Sequence, residues 1–252
     1  MPSSLMGNTS ELPLFVPDKV RWLVDLQTAP VDLFPRDVYR TISSERYRTG
    51  IVAELLPNTA ISSLFSPWYR QRLLSRGDFR LNKEQTMETI RRMARDTTYK
   101  LYWFTVGGVA VGGIVLHLMS PSEVRVAYRA FDHEVARSAR VRQVDYYAEL
   151  ALDNLLATRG VSRLIHGTDK QPLTQLGLSS YKLHIGAHPV IVESVGSATF
   201  DPVVHVGYFQ TPNERGVYTE FCLFQRVDEA RVRTFCTIAE RMGIHILVKH
   251  VE

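Results

Sequence analysis

Leu101-Tyr102-Trp103-Phe104-Thr105-Val106-Gly107-Gly108-Val109 carries a run of aromatic and β-branched residues straight into a pair of glycines. Such residues suit a pleated, half-buried strand, and two glycines supply the positive φ angles that a two-residue hairpin turn demands. The return strand is read as Val109–Met119, where Gly112-Gly113 signals a bulge or a close backbone approach, because glycine otherwise only weakens a strand. Pro121 breaks that run. Glu123–Phe131 then alternates Val124, Val126, Tyr128 and Ala130 with Arg125, Ala127 and Arg129, as a third antiparallel strand does. The stretch is a three-stranded meander.

Helical spacing flanks it on both sides. Upstream, Asn82–Asp96 predicts a helix with Met87, Ile90, Arg91 and Ala94 on its inner face. Downstream, Val144–Thr158 repeats apolar residues at Val144, Tyr147, Ala148, Ala151, Leu152, Leu155 and Leu156, and Gly160 ends it. Ser162–His166 is a short strand that, after a crossover helix, runs parallel to its neighbour. Pro172 opens a further helix bearing Leu173, Leu176, Tyr181 and Leu183, which closes at Gly186 before a strand at His188–Ser194. Strand Tyr218–Gln225, helix Asp228–Met242 and strand Ile244–Lys249 follow. The class is α/β, with a mixed, mostly antiparallel central sheet flanked by helices.

Pro13, Pro17, Pro30, Pro35 and Pro57 keep the first elements short, so residues 1–80 are expected to form a helical cap or entrance wall. Residues 81–194 make the core. Residues 195–252 either complete its sheet or begin a second unit.

With 252 residues, 45% of them apolar and 22% charged, the chain falls in the globular class and outside the disordered one. The most apolar segment, Val106–Met119, is interrupted by four glycines and a histidine, so no membrane span is expected, and Met1–Ser10 lacks the build of a secretory signal. Cys222 and Cys236 read as reduced thiols of a cytoplasmic protein, and His245 and His250 lack metal-ligand spacing, so no metal is expected. A net charge of +4 leaves room for an anionic partner, with arginines gathered in Arg70–Arg80, Arg91–Arg95 and Arg125–Arg142. Solvated helix faces would explain those clusters equally well.

Tyr181-Lys182 followed by Gly186-Ala187-His188-Pro189-Val190, together with Ala127-Tyr128-Arg129-Ala130-Phe131-Asp132, resembles the GNAT superfamily over roughly Lys100–Ser194. The likeness is closest to its Fem-type branch and related amide-forming transferases. It implies a GNAT-like core and transfer of an acyl or aminoacyl group to an amine. Many superfamily members that use acyl-coenzyme A carry Gln or Arg, two residues, Gly, one residue, then Gly or Ala, so that bare backbone N–H groups meet the pyrophosphate. The matching segment here is Arg137-Ser138-Ala139-Arg140-Val141-Arg142, with arginine at both glycine positions. Arg129, Arg137, Arg140 and Arg142 are thus candidate donor-binding residues. Guanidinium groups grip phosphates from a distance, and the Fem-type donor is an aminoacyl-tRNA, which is narrowly favoured over acyl-coenzyme A. No tightly bound cofactor is expected, and the acceptor is the amine of a small molecule.

Such chemistry needs a base, an oxyanion partner and a proton for the leaving group. By resemblance, Lys182 serves the oxyanion or the tRNA ribose and Tyr181 the leaving group. The plainer readings are a solvent-facing lysine and a packed tyrosine. Asp132, His133 and Glu134 at the end of the third strand, and His166 at the end of the fourth, are candidate bases; histidines titrate near neutrality, which favours His166. Against this stand a polar turn for the first three and a hydrogen-bonded histidine for the last. Trp68-Tyr69-Arg70 with Arg72, Arg76 and Arg80 could stack bases or anchor packing. A different class is also open: an inactive GNAT-like module that docks RNA or protein through its arginines.

Overall fold

A computed structural model describes residues 17–75, 83–170, 176–194, 207–209, 220–225, 233, 236–240 and 245–250. In chain order these form β1 (Pro17–Asp25), α1 (Pro30–Leu33), α2 (Arg36–Thr49), β2 (Ile51–Leu56), a π-helical turn (Ile61–Phe65), α3 (Ser66–Ser75) and α4 (Lys83–Met93). The meander follows as β3 (Tyr99–Val106), β4 (Val109–Ser120) and β5 (Glu123–Phe131). Then come α5 (His133–Ser138), α6 (Val144–Thr158), β6 (Arg163–Lys170), α7 (Leu176–His184), β7 (His188–Ser194), β8 (Gly207–Phe209), β9 (Glu220–Gln225) and β10 (His245–His250). Seven strands share one sheet in the order β2-β3-β4-β5-β6-β1-β7, and β10-β9-β8 form a second. By packing, the chain divides into Leu23–Gly167 and a unit made of Met1–Trp22 with Thr168–Glu252.

The meander pairs antiparallel throughout, and Gly107 and Gly108 both take positive φ (56° and 80°), as the tight turn requires. The expected irregularity in β4 is a bulge: Phe104 faces Gly112 and Thr105 faces Ala110, leaving Val111 as the extra residue. Gly112 is there for space. A β-carbon on it would meet the Phe131 ring and the Ala130 carbonyl oxygen, and lie 2.8 Å from the Phe131 α-carbon. β4 and β5 therefore come together closely at the end of β5 that leads into α5.

Each face of the meander is covered within its unit. On one side Ile61, Phe65, Met87 and Ile90 close over Leu101, Trp103, Val115 and Ala130. Trp68 lies edge-on to Trp103, and Tyr69 edge-on to Tyr128, so these two aromatics serve packing; Arg76 and Arg80 lie outside the described residues. α6 supplies the other cover with Val144, Tyr147, Ala148, Leu152 and Leu156, all fully buried. The valine and leucine side chains among them each contribute about 1.5–3 kcal/mol through the hydrophobic effect.

Two expectations change. Residues 1–80 are not a cap alone, because β1 and β2 are strands of the seven-stranded sheet. The prolines bracket these elements without preventing them: Pro17 opens β1, Pro30 opens α1, Pro35 directly precedes α2 and Pro57 directly follows β2. Nor do β8, β9 and β10 extend the main sheet. β9 and β10 pair in parallel, which needs a crossover, and residues 236–240 between them are helical. Pro172 and Leu173 lie outside the described residues.

Substitution Gly112→Ala is expected to destabilise the protein by about 1–3 kcal/mol through forced overpacking. Denaturant unfolding of the two proteins measures it, and an unchanged midpoint would show that β4 and β5 have room to part.

Candidate active site

The parallel ladder between β5 and β6 is short. Its described pairs are Glu123 with Arg163, Val124 with Leu164 and Arg125 with Ile165, and an ion pair between Arg163 and Glu123 (3.1 Å) ties its start. Past the last described pair β5 runs six more residues, from Val126 to Phe131, and His166 is the first residue of β6 beyond the described ladder. α6 lies over this region and turns Glu149 inward.

Glu149 has no exposed surface at all. One carboxylate oxygen accepts a hydrogen bond from the Arg129 guanidinium at 3.0 Å, and the other lies 3.6 Å from His166 Nε2. The cluster thus joins β5, α6 and β6. A buried carboxylate is tolerable only with such compensation, since desolvation alone costs several kcal/mol. Arg129, expected at the donor, donates a hydrogen bond to Glu149. His166 is itself buried, and the carboxylate 3.6 Å from its Nε2 can fix the ring's orientation. This is what a general base requires of its second partner.

The inner stripe of α6 extends in both directions from Glu149. Three residues earlier, burial raises the Tyr146 phenol above its ordinary pKa, with the Asp145 charge adding to the rise and Arg129 opposing it. Four residues later, Asp153 is 2% exposed, and burial followed by the Glu149 charge pushes its carboxyl well above the usual range.

The other expected bases have structural partners. Asp132 caps α5, its carboxylate accepting the N–H groups of Glu134 and Val135 at 2.9 Å each. His133 Nε2 lies 3.5 Å from the Asp145 carboxylate, linking α5 to the first turn of α6, and Glu134 is exposed. Lys182 is buried, not solvent-facing: it is 4% exposed, with its ammonium 5.3 Å from the centre of the Trp22 ring, a cation–π arrangement. Tyr181 beside it is half-buried. These two residues belong to the second unit, whereas Arg129, Glu149 and His166 belong to Leu23–Gly167.

Arg137–Arg142 forms a helix C-cap. The Val141 N–H reaches the Ala136 carbonyl and the Arg140 N–H reaches the Arg137 carbonyl, both at 2.8 Å, while Ala136 and Val141 are buried. This is the Schellman arrangement, whose left-handed residue is usually glycine. Here it is Arg140 at φ 66°, the only non-glycine with positive φ among the described residues. Its backbone has the shape a glycine would give, at a cost of about 1–2 kcal/mol. Arg137, Arg140 and Arg142 are all exposed and make no ion pair among the described residues.

Glu149 escaped sequence reading because glutamate on a helix normally faces water. The available signal was Arg129, whose alternation along β5 puts it on the same sheet face as Phe131 and therefore beneath α6, where a guanidinium needs a carboxylate.

No known protein family and no curated protein matches the sequence. Solved structures do match in shape. FemX superposes with a TM-score of 0.53 at 9% identity, over 68% of this chain and 59% of FemX. L-PGS from Bacillus licheniformis gives 0.38 at 12% identity, over 74% of this chain and 50% of that one. Ribosomal-protein-alanine N-acetyltransferase from Brucella melitensis biovar Abortus 2308 gives 0.34 at 13% identity, over 60% and 96%. The chain therefore spans about three-fifths of the length of FemX.

Because the folded-state pKa of Asp153 is raised, its contribution to stability is fully present below the unfolded value, about 4, and is lost as pH rises toward the folded one. Asp153→Asn removes that dependence. Across this window the variant is expected to gain on the parent by about 1.4 kcal/mol per pH unit, measured by denaturant unfolding from pH 4 to 8. Parallel stability curves would show that Asp153 ionises normally.

Proposed function

We propose that this chain, which has the GNAT-type fold, is an N-acyltransferase that moves an aminoacyl group from a tRNA onto the amine of a small-molecule acceptor. The observation that carries this reading is Arg140. Glycine would relieve its left-handed backbone, so an arginine here costs stability, and strain of this kind concentrates at functional sites. With Arg137 and Arg142 exposed beside it, the turn offers three cations to successive phosphates. A compact pyrophosphate would instead want bare backbone. The charge of the whole unit agrees: Leu23–Gly167 has 20 Lys and Arg against 15 Asp and Glu, whereas the rest of the chain has 10 against 11.

In this reading His166 takes the proton from the acceptor ammonium or from the attacking amine, and Glu149 stabilises the imidazolium that results. The amine attacks the aminoacyl ester carbonyl, the carbon–oxygen bond to the ribose breaks, and the ribose oxygen leaves with a proton. The resemblance to Fem-type enzymes implies an oxyanion or ribose role for Lys182 and a leaving-group role for Tyr181; both lie in the other unit, where the Lys182 ammonium is 5.3 Å from the centre of the Trp22 ring.

Incubation with charged tRNA and with acyl-coenzyme A, each with and without RNase, tests the donor. Product from charged tRNA that RNase abolishes supports the reading, and RNase-insensitive product from acyl-coenzyme A alone defeats it. Arg140→Gly is expected to raise stability by about 1 kcal/mol while weakening tRNA binding. Replacing Arg137, Arg140 and Arg142 together by alanine is expected to flatten the dependence of log affinity on log salt by about three phosphate contacts, read from binding over a salt series.

A further inference from the structure

The arginine turn carries its own opposing charge. Between the end of β5 and the first turn of α6, Arg137, Arg140 and Arg142 are matched by three carboxylates, those of Asp132, Glu134 and Asp145. Guanidinium groups grip individual phosphates, but a segment balanced in this way has no net charge with which to draw a phosphate chain. One further group decides the balance. His133 Nε2 lies 3.5 Å from the Asp145 carboxylate, an ion pair only when the imidazole is protonated, and neither side chain makes another ion pair among the described residues. One stands at the start of α5 and the other in the first turn of α6, so their contact closes the loop that bears all three arginines. The two side chains are 46% and 25% exposed, within reach of both protons and a ligand.

We propose that His133 is a proton-operated part of the polyanion site: once protonated it pairs with Asp145, cancels a carboxylate that opposes the ligand, and raises the affinity of the turn for a phosphate chain. This rests on the reading of the turn as a phosphate site and adds its regulation. Histidine is the side chain whose charge ordinarily changes between about pH 5 and 8. By linkage, a ligand that favours the protonated form is held more tightly as pH falls, and its binding takes up protons. The groups around His133 are few. On α5 Glu134 is adjacent and Arg137 lies one turn further along the same face, while the Asp132 carboxylate is turned to the Glu134 and Val135 N–H groups. From α6 come Asp145 and, next to it, the Tyr146 phenol, on which the Asp145 and Arg129 charges act. β4 also packs on α5, and its one titratable side chain, His117, stands opposite Arg125, away from the end of β5 that leads into α5.

The test measures binding of bulk tRNA and of inorganic polyphosphate to the full chain at fixed salt, from about pH 5.5 to about pH 8, beside His133→Gln and Asp145→Asn. The parent is expected to bind about two- to fivefold more tightly at the acid end, the effect of one exposed charge pair. His133→Gln, which never charges, is expected to bind at the parent's weak, alkaline level throughout. Asp145→Asn has no carboxylate to cancel and is expected to bind near the tight level throughout. Opposite levels in the two variants separate linkage from loss of structure, because damage to the turn weakens binding in both. A parent affinity that ignores pH overturns the proposal, as does a dependence that persists in His133→Gln or weak binding by Asp145→Asn at the alkaline end. The donor reading fails separately. Polyphosphate binding that follows this pattern without any tRNA binding upholds His133 and removes tRNA as donor. Binding of tRNA that needs Arg137, Arg140 and Arg142 but ignores pH keeps the donor and removes His133, and a failure of both probes to bind overturns both readings.

Discussion

A carboxylate cannot sit inside a protein without opposite charge or several donors around it, and Glu149 is wholly inside. Its contact with Arg129 ties α6 to β5, and its approach to His166 ties α6 to β6. Those are the strands whose described ladder ends at Arg125 and Ile165, so main-chain bonding gives way to side-chain electrostatics where the strands need to be held in relation to each other. The surrounding apolar residues, Val144, Tyr147, Leu152 and Leu156, supply the bulk of the cohesion. An apolar core of the same volume would be no less stable, which makes the retained ions more readily explained by chemistry than by folding.

Much of the fold was legible because its signals are local. Two glycines after a β-branched and aromatic run specify a hairpin, and the spacing of Val144 through Leu156 specifies α6 to its end residues. β5 and β7 were likewise readable from alternation and from the breakers beside them. β1 and β2 were hidden by prolines that mark their ends and the ends of their neighbours, since a proline reads first as a breaker. The separate sheet of β8, β9 and β10 was hidden for another reason: partner choice among strands depends on contacts distant in sequence, which periodicity does not report.

The candidate site was legible by halves. His166 and the arginine turn stood out as residue types in places where chemistry could use them. Their companions did not, because Glu149 and Asp153 become informative only when burial is known. The same knowledge reassigns Asp132 from base to helix cap and Lys182 from surface to interior. Burial also sorts the four arginines, leaving Arg137, Arg140 and Arg142 to the solvent and giving Arg129 to Glu149.

The left-handed backbone at Arg140 has an evolutionary corollary. Under selection for folding alone, mutational drift at this position runs toward glycine, whose codons are a single nucleotide from several arginine codons. Lineages that have abandoned the proposed activity should therefore show glycine there while keeping the buried Ala136 and Val141. If the proposed donor is right, lineages that bind a polyanion there should resist the same step. The position would then act as a natural reporter, distinguishing working copies from decayed ones within a genome without any assay.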